Sequence, residues 1–129
     1  MKVHLFRLEK PSPTLEEAES YVASFTPGSF GCILLHHPNG TQLAVMINGN
    51  QTYPHYFPAA DHPGWQPAAE NDADWDTEVE FLADNGEPTP MPLALVVPVE
   101  RTLAILRYFW QHGGRADEVT WTSLVDGEP

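Results

Sequence analysis

The chain has 129 residues, 42% of them hydrophobic and 11% aromatic, and its 18 acids against 6 Lys+Arg give a formal net charge of -12. That length suits one domain, residues 1–129, burying roughly two thirds of the surface its unfolded form exposes. The basic residues are Lys2, Arg7, Lys10, Arg101, Arg107 and Arg115, so residues 11–100 carry none; such a field disfavours direct nucleic-acid or membrane binding and attracts cationic partners.

The N-terminal stretch "MKVHLFRLEK" has no apolar run of signal-peptide length, and no segment approaches the roughly 20 apolar residues of a membrane span. A cytoplasmic location is therefore expected. Thr14 followed by Glu17 is a capping-box pattern, and Leu15, Ala18, Val22 and Phe25 recur at helical spacing. This predicts a helix over about 15–24, with Glu16 and Glu19 on its exposed face as ordinary helix chemistry.

Residues 30–57 read as a three-stranded meander, since Asn39-Gly40 and Asn48-Gly49-Asn50 separate three β-prone runs. The first run, 30–37, is apolar on both faces and expected to be central. It contains the single cysteine, Cys32, expected to be a buried structural thiol; no internal disulfide or C-x-x-C site is possible. In the second run Leu43, Val45 and Ile47 share one face, opposite Gln42, Ala44, Met46 and Asn48. Pro54 in the third run predicts an edge position or a bulge.

Residues 58–69, with three prolines and no period, are expected to form a surface loop. A strand over about 77–82 follows, then an "ADNGEPTP" turn and a short apolar strand in "MPLALVV". A second helix is expected over 99–112: Val99, Leu103, Leu106 and Trp110 form one stripe, Thr102, Ile105 and Phe109 its neighbour. Gly113-Gly114 ends it, and a strand around Trp121 closes the chain. The expected fold is α+β: an antiparallel sheet of about five to six strands with two helices packed on it.

Recognised catalytic and metal motifs are missing. An EF-hand loop from Asp72 would need Gly where Thr77 stands and Glu where Ala83 stands. The histidines at 4, 36, 37, 55, 62 and 112 show no H-x-x-x-H spacing, and solvated or strand-end roles are expected for them. There is no G-x-S-x-G, P-loop or G-x-G-x-x-G. A non-enzymatic protein without metal or cofactor is the expectation.

The conspicuous feature is "ENDADWDTEVEF", residues 70–81, with an acid at every even position: Glu70, Asp72, Asp74, Asp76, Glu78 and Glu80. In an extended chain these carboxylates would share one face, with Trp75, Val79 and Phe81 on the other. Carboxylates so aligned repel one another, which plain solubility does not require. Aromatics flank the run: Tyr53, Tyr56, Phe57 and Trp65 before it, Trp75 within it. Interfaces draw their strongest contacts from Trp and Tyr, while charge sets rate and partner choice. The expected partner-binding residues are Trp65, Asp72, Asp74, Trp75, Asp76, Glu78 and Glu80.

Residues 97–124, "VPVERTLAILRYFWQHGGRADEVTWTSL", combine an amphipathic helix ending in Phe109-Trp110, a turn at Gly113-Gly114-Arg115, and a strand carrying Val119-Thr120-Trp121. This segment resembles the close of the first immunity-protein family of bacterial polymorphic toxin systems, and the 30–57 meander is similar to that family's central hairpins. The resemblance implies an α+β fold and a non-enzymatic role, binding a cognate toxin domain, frequently a nucleic-acid deaminase, and blocking its active site. A row of carboxylates would then occupy the toxin's cationic groove as a phosphate-like surface, with Trp65 or Trp75 filling an apolar pocket. The alternative is a non-inhibitory adaptor or regulatory module that binds a basic protein partner.

Overall fold

A computed structural model of the chain describes residues 2–5, 8–10, 14–70, 72–83 and 85–125, with side chains described from residue 14 onward and for Lys2 and Val3. Two helices, α1 (Leu15–Ala23) and α2 (Val99–His112), pack on an antiparallel sheet. Its strands are β1 (Lys2–Leu5), β2 (Leu8–Lys10), β3 (Phe30–His36), β4 (Gln42–Asn48), β5 (Gln51–Phe57), β6 (Trp65–Pro67) and β10 (Trp121–Ser123), in spatial order β10-β6-β5-β4-β3-β1-β2. With β9 (Val97–Pro98) also on β5, the sheet has eight strands. A separate pair, β7 (Glu78–Val79) with β8 (Met91–Pro92), lies outside it. The α+β class is the one expected, and the sheet is wider because the N-terminal segment and Trp65–Pro67 add strands.

The expected capping box starts α1: Glu17 N–H donates to Thr14 Oγ1 at 3.1 Å, and Thr14 N–H to Glu17 Oε1 at 3.2 Å. These bonds occupy two of the donors a helix start otherwise leaves unpaired. α2 runs over the expected residues and stops at Gly113, whose φ of 67° lies in the left-handed region that glycine enters without strain. A side chain there would also strike Asn39 and His37. The cap is tied to the β3–β4 turn, since the Gly113 carbonyl accepts Thr41 Oγ1–H at 2.7 Å.

The meander forms as the alternation requires. β3 lies between β1 and β4, and Leu43, Val45 and Ile47 of β4 are buried. They join Ile33, Leu35, Val22, Ile105, Leu106 and Phe109 in the main core between the sheet and the helices. Within it, Thr52 Oγ1–H donates to the Val97 carbonyl at 2.8 Å, and the Thr52 and Thr102 hydroxyls lie 2.6 Å apart. This polar pair links β5, β9 and α2 with its hydrogen-bonding capacity used internally.

Pro54 departs from expectation because β5 is a central strand. Its side away from β4 meets β9 at Gln51 and Thr52 and β6 at Tyr56, which leaves Pro54 between the two partners. A residue without an N–H is tolerated at such a break. The expected 58–69 loop contains β6, which pairs with both β5 and β10. The expected strand in "MPLALVV" is split into β8, a 3-10 turn at Leu93–Leu95, and β9.

The sheet face away from the helices carries side chains in rows set by register. Cys32, Met46 and Tyr53 form one row, Leu34, Ala44 and His55 the next, His36, Gln42 and Phe57 the third. Residues 78–83 and 85–92 fold back on one another as the two sides of a hairpin, with Asn85-Gly86 near its tip; Thr89 N–H donates to the Phe81 carbonyl at 2.7 Å. Phe81 and Val79 make a second, smaller core with Tyr53, Leu95 and the neighbouring Met46. Cys32 is buried, as expected for a structural thiol.

Candidate partner-binding surface

The acidic stretch divides into two parts. From Glu78 to Phe81 it alternates as expected, with Glu78 and Glu80 exposed and Val79 and Phe81 buried. From 70 to 77 it does not. Ala73 N–H donates to the Glu70 carbonyl, and the Asp74 carboxylate accepts the N–H groups of Asp76 and Thr77, each at 2.9 Å. Thr77 Oγ1–H completes this cap at 2.6 Å from Asp74 Oδ2. A short carboxylate bonding the backbone two and three residues ahead forms a turn in place of a strand.

The single ruled face of six carboxylates is therefore corrected, and the strand expected over 77–82 shrinks to β7, followed by an isolated bridge between Leu82 and Pro88. Asp74 serves the turn. Its bonds from Thr77, side chain first, and from Asp76 hold its carboxyl below the usual carboxylate range. The turn is anchored from behind: the Asp74 and Thr77 carbonyls accept the N–H groups of Ala94 and Leu93, each at 2.8 Å.

The corner so held presents Trp75. Its side chain is 57% exposed, the most exposed of the large hydrophobics among the described residues. Asp72, Asp76, Glu78 and Glu80 are exposed around it in sequence. Beside them a cleft of about 690 Å³ runs between residues 67–70 and 72–74 on one hand and the β9–α2 junction on the other. Glu70, Asp72 and Asp74 line it on one side, and Arg101 lies among its other lining residues.

Trp65, expected as a partner contact, is 7% exposed and belongs to the main core. The Arg115 guanidinium lies over its ring, 3.6 Å from the centroid. Trp65 is therefore largely covered by its own fold, and of the expected tryptophans Trp75 is the exposed one.

Sequence reasoning did not single out the outer face of β3, β4 and β5. The 78–92 hairpin covers only its first row; beyond that edge Leu34, Gln42, Ala44, His55, Phe57 and Ala83 border a cavity of about 310 Å³ that also reaches Cys32, Met46 and Tyr53. His55 stacks on Phe57 with centroids 4.4 Å apart and bonds the Pro63 carbonyl through Nε2 at 2.8 Å. Burial lowers the pKa of its imidazole, partly opposed by that bond, so His55 is neutral near pH 7. Tyr53 donates to Gln66 Oε1 at 2.8 Å, and burial pushes its phenol up to about 12. The alternation of β4 did signal which residues face this way; what would cover them carried no local signal.

Among the described residues, no three His, Cys, Asp or Glu side chains gather to hold a metal ion, and no buried side-chain polar atom lacks a partner. No described helix is long and apolar enough to cross a membrane. A small α+β domain whose distinctive surface is a charged turn with a projecting tryptophan has the features of a protein-binding protein. A family model described as Immunity protein Imm1 matches residues 14–123, and the chain belongs to that family of immunity proteins. Comparison with curated proteins finds no match.

Proposed function

We propose that this protein is the immunity partner of a toxin domain that acts on nucleic acid, of the deaminase class, and that it blocks the toxin's active site without enzymatic activity of its own. The observation that carries the reading is Trp75, 57% exposed on a hydrogen-bonded corner within a run of carboxylates, in a chain of the Imm1 family. A surface that holds nucleic acid is cationic, because it must neutralise phosphates. Asp72, Asp76, Glu78 and Glu80 complement such a surface, and Trp75 supplies the aromatic anchor interfaces favour. Asp74 contributes by shaping the turn. The protein acts in the cytoplasm of the cell that makes the toxin.

The test is to express the chain with the product of the neighbouring gene and purify it by a tag. A one-to-one complex that survives moderate salt and has lost the toxin's activity is expected. A partner that stays fully active in the complex would favour the adaptor reading, and retention of no partner would remove the immunity reading for that gene pair.

A further inference from the structure

The uncovered part of the outer sheet face has a shape and a charged border that the acidic corner does not explain. Its floor has small Ala44 between Leu34 and His55 on adjacent strands, with Phe57 in the next row. The cavity, about 310 Å³, is at the low end of ligand-pocket volumes, on the scale of one or two large side chains.

The border is acidic. Ala83, on one rim, donates its N–H to the Glu87 carbonyl at 3.0 Å. Glu87, on the hairpin that forms this rim, has an exposed side chain. The 58–64 turn, bonded to His55 through Pro63, carries exposed Asp61. Lys2, exposed and in register with His36, is the one cation whose described side chain lies on this face; it is at the β1 end of the row that holds Gln42 and Phe57, with β3 and β4 between it and Phe57 and the 58–64 turn. A neutral His55 leaves the floor without a positive charge.

We propose that this groove receives a large aliphatic or aromatic side chain from a Lys/Arg-rich segment of the partner toxin. The proposal rests on the immunity reading and adds a second contact to it: the acidic corner steers the partner in, and the groove retains it. An apolar side chain gains by leaving water for the Leu34, Ala44 and Phe57 surface, while its basic flanks lie toward Glu87 and Asp61. A free anionic ligand is disfavoured by the same border.

Two kinetic signatures separate these roles. Losing charge at a rim changes association and its salt dependence, whereas losing a buried anchor changes dissociation. The probe is the neighbouring gene's toxin domain with its catalytic centre disabled, bound to the full chain and followed by biolayer interferometry. Ala44→Trp fills the groove with a residue that strands accept, and Leu34→Ser and Phe57→Ala remove its floor should the first variant fold poorly. Each variant is checked by its melting transition.

Dissociation faster by about 30-fold or more, with association unchanged at every salt concentration, is the expected result and matches loss of an interface hot spot. Wild-type dissociation from variants that fold overturns the proposal and leaves the immunity reading standing. A wild-type chain that does not bind the probe overturns both. A self-associated wild-type chain made monomeric by Ala44→Trp would identify the occupant as a second copy and overturn the proposal alone.

Discussion

The guanidinium of Arg115 lies 3.6 Å from the centre of the Trp65 ring and 5.9 Å from that of Tyr56. It seals the junction of β5 and β6 where the turn after α2 returns to the sheet. A cation over an indole face at a partly exposed site contributes about 1 kcal/mol, and the Arg stem covers apolar surface as well. Arg115→Ala should lower unfolding stability by about that amount in urea titration and leave the rate of toxin association unchanged. A slowed association with unaltered stability would mean that Trp65 meets the partner after all.

The hydroxyl pair in the main core makes an asymmetric prediction. Thr52 donates to the Val97 carbonyl, so the Thr102 hydroxyl must donate to Thr52. Thr52→Val takes one donor from the Val97 carbonyl and leaves the Thr102 hydroxyl without its acceptor, and should cost about 1–3 kcal/mol. Thr102→Val keeps the bond to Val97 and should cost less. The double variant should lose less than the sum of the singles, because removing both partners leaves fewer orphaned groups. Chemical denaturation of the four proteins measures this; strict additivity would show that the hydroxyls do not act as a pair.

Much of the frame was legible for identifiable reasons. α2 combines a broad apolar stripe with a Gly-Gly stop, α1 has its Thr14–Glu17 box, and the meander has alternation punctuated by Asn-Gly turns; all are local signals. Long-range pairings were hidden. Nothing near Trp65 shows that Trp65–Pro67 will lie against Trp121–Ser123, and the prolines and glycine around it spoke for a loop. The N-terminal strands depend on β3 in the same way. At the site, regular spacing of acids imitated a strand, but the Asp74 carboxylate can bond its own backbone, and that competing local geometry prevails from 70 to 77. The exposure of Trp75 follows from the turn and was legible only as a residue type.

Asp74 gives a test of that turn. Asp74→Ala removes the acceptor for Asp76 N–H, Thr77 N–H and Thr77 Oγ1–H, and should speed hydrogen exchange at those two amides. Asp74→Asn retains an acceptor and should protect them more nearly as the parent does. The pH dependence has a definite sign: the folded-state pKa is lowered, so the carboxylate's contribution is present above the ordinary value and is lost as pH falls through the lowered one. Asp74 should therefore retain its charge in acid after an unperturbed carboxyl has protonated, as carboxyl-carbon NMR shifts will show.

His55 carries the opposite titration. Its folded-state pKa lies below the ordinary value of 6.5, so between the two the unfolded chain binds more protons than the folded one. Stability contributed by neutral His55 is complete above that value and declines as pH falls toward the lowered one. His55→Gln should flatten this part of the stability-versus-pH curve; an unchanged slope would mean that other histidines carry the dependence.

The exposed carboxylates should act mainly before contact. Replacing Asp76, Glu78 and Glu80 by Asn, Gln and Gln removes three charges from a chain of net charge -12 without deleting a buried side chain, since all three are exposed. Exposed charges are screened over about 10 Å at 0.1 M salt, so their principal effect is on long-range approach. Association should slow by about tenfold or more at low salt and converge with the parent's as ionic strength rises, with dissociation changing less. Trp75→Ala should show the complementary pattern, faster dissociation at every salt concentration, because an aromatic anchor acts after contact. Stopped-flow mixing with the inactive toxin domain over a salt series distinguishes the two. Equal association of parent and triple variant at all ionic strengths would remove the acidic corner from the encounter.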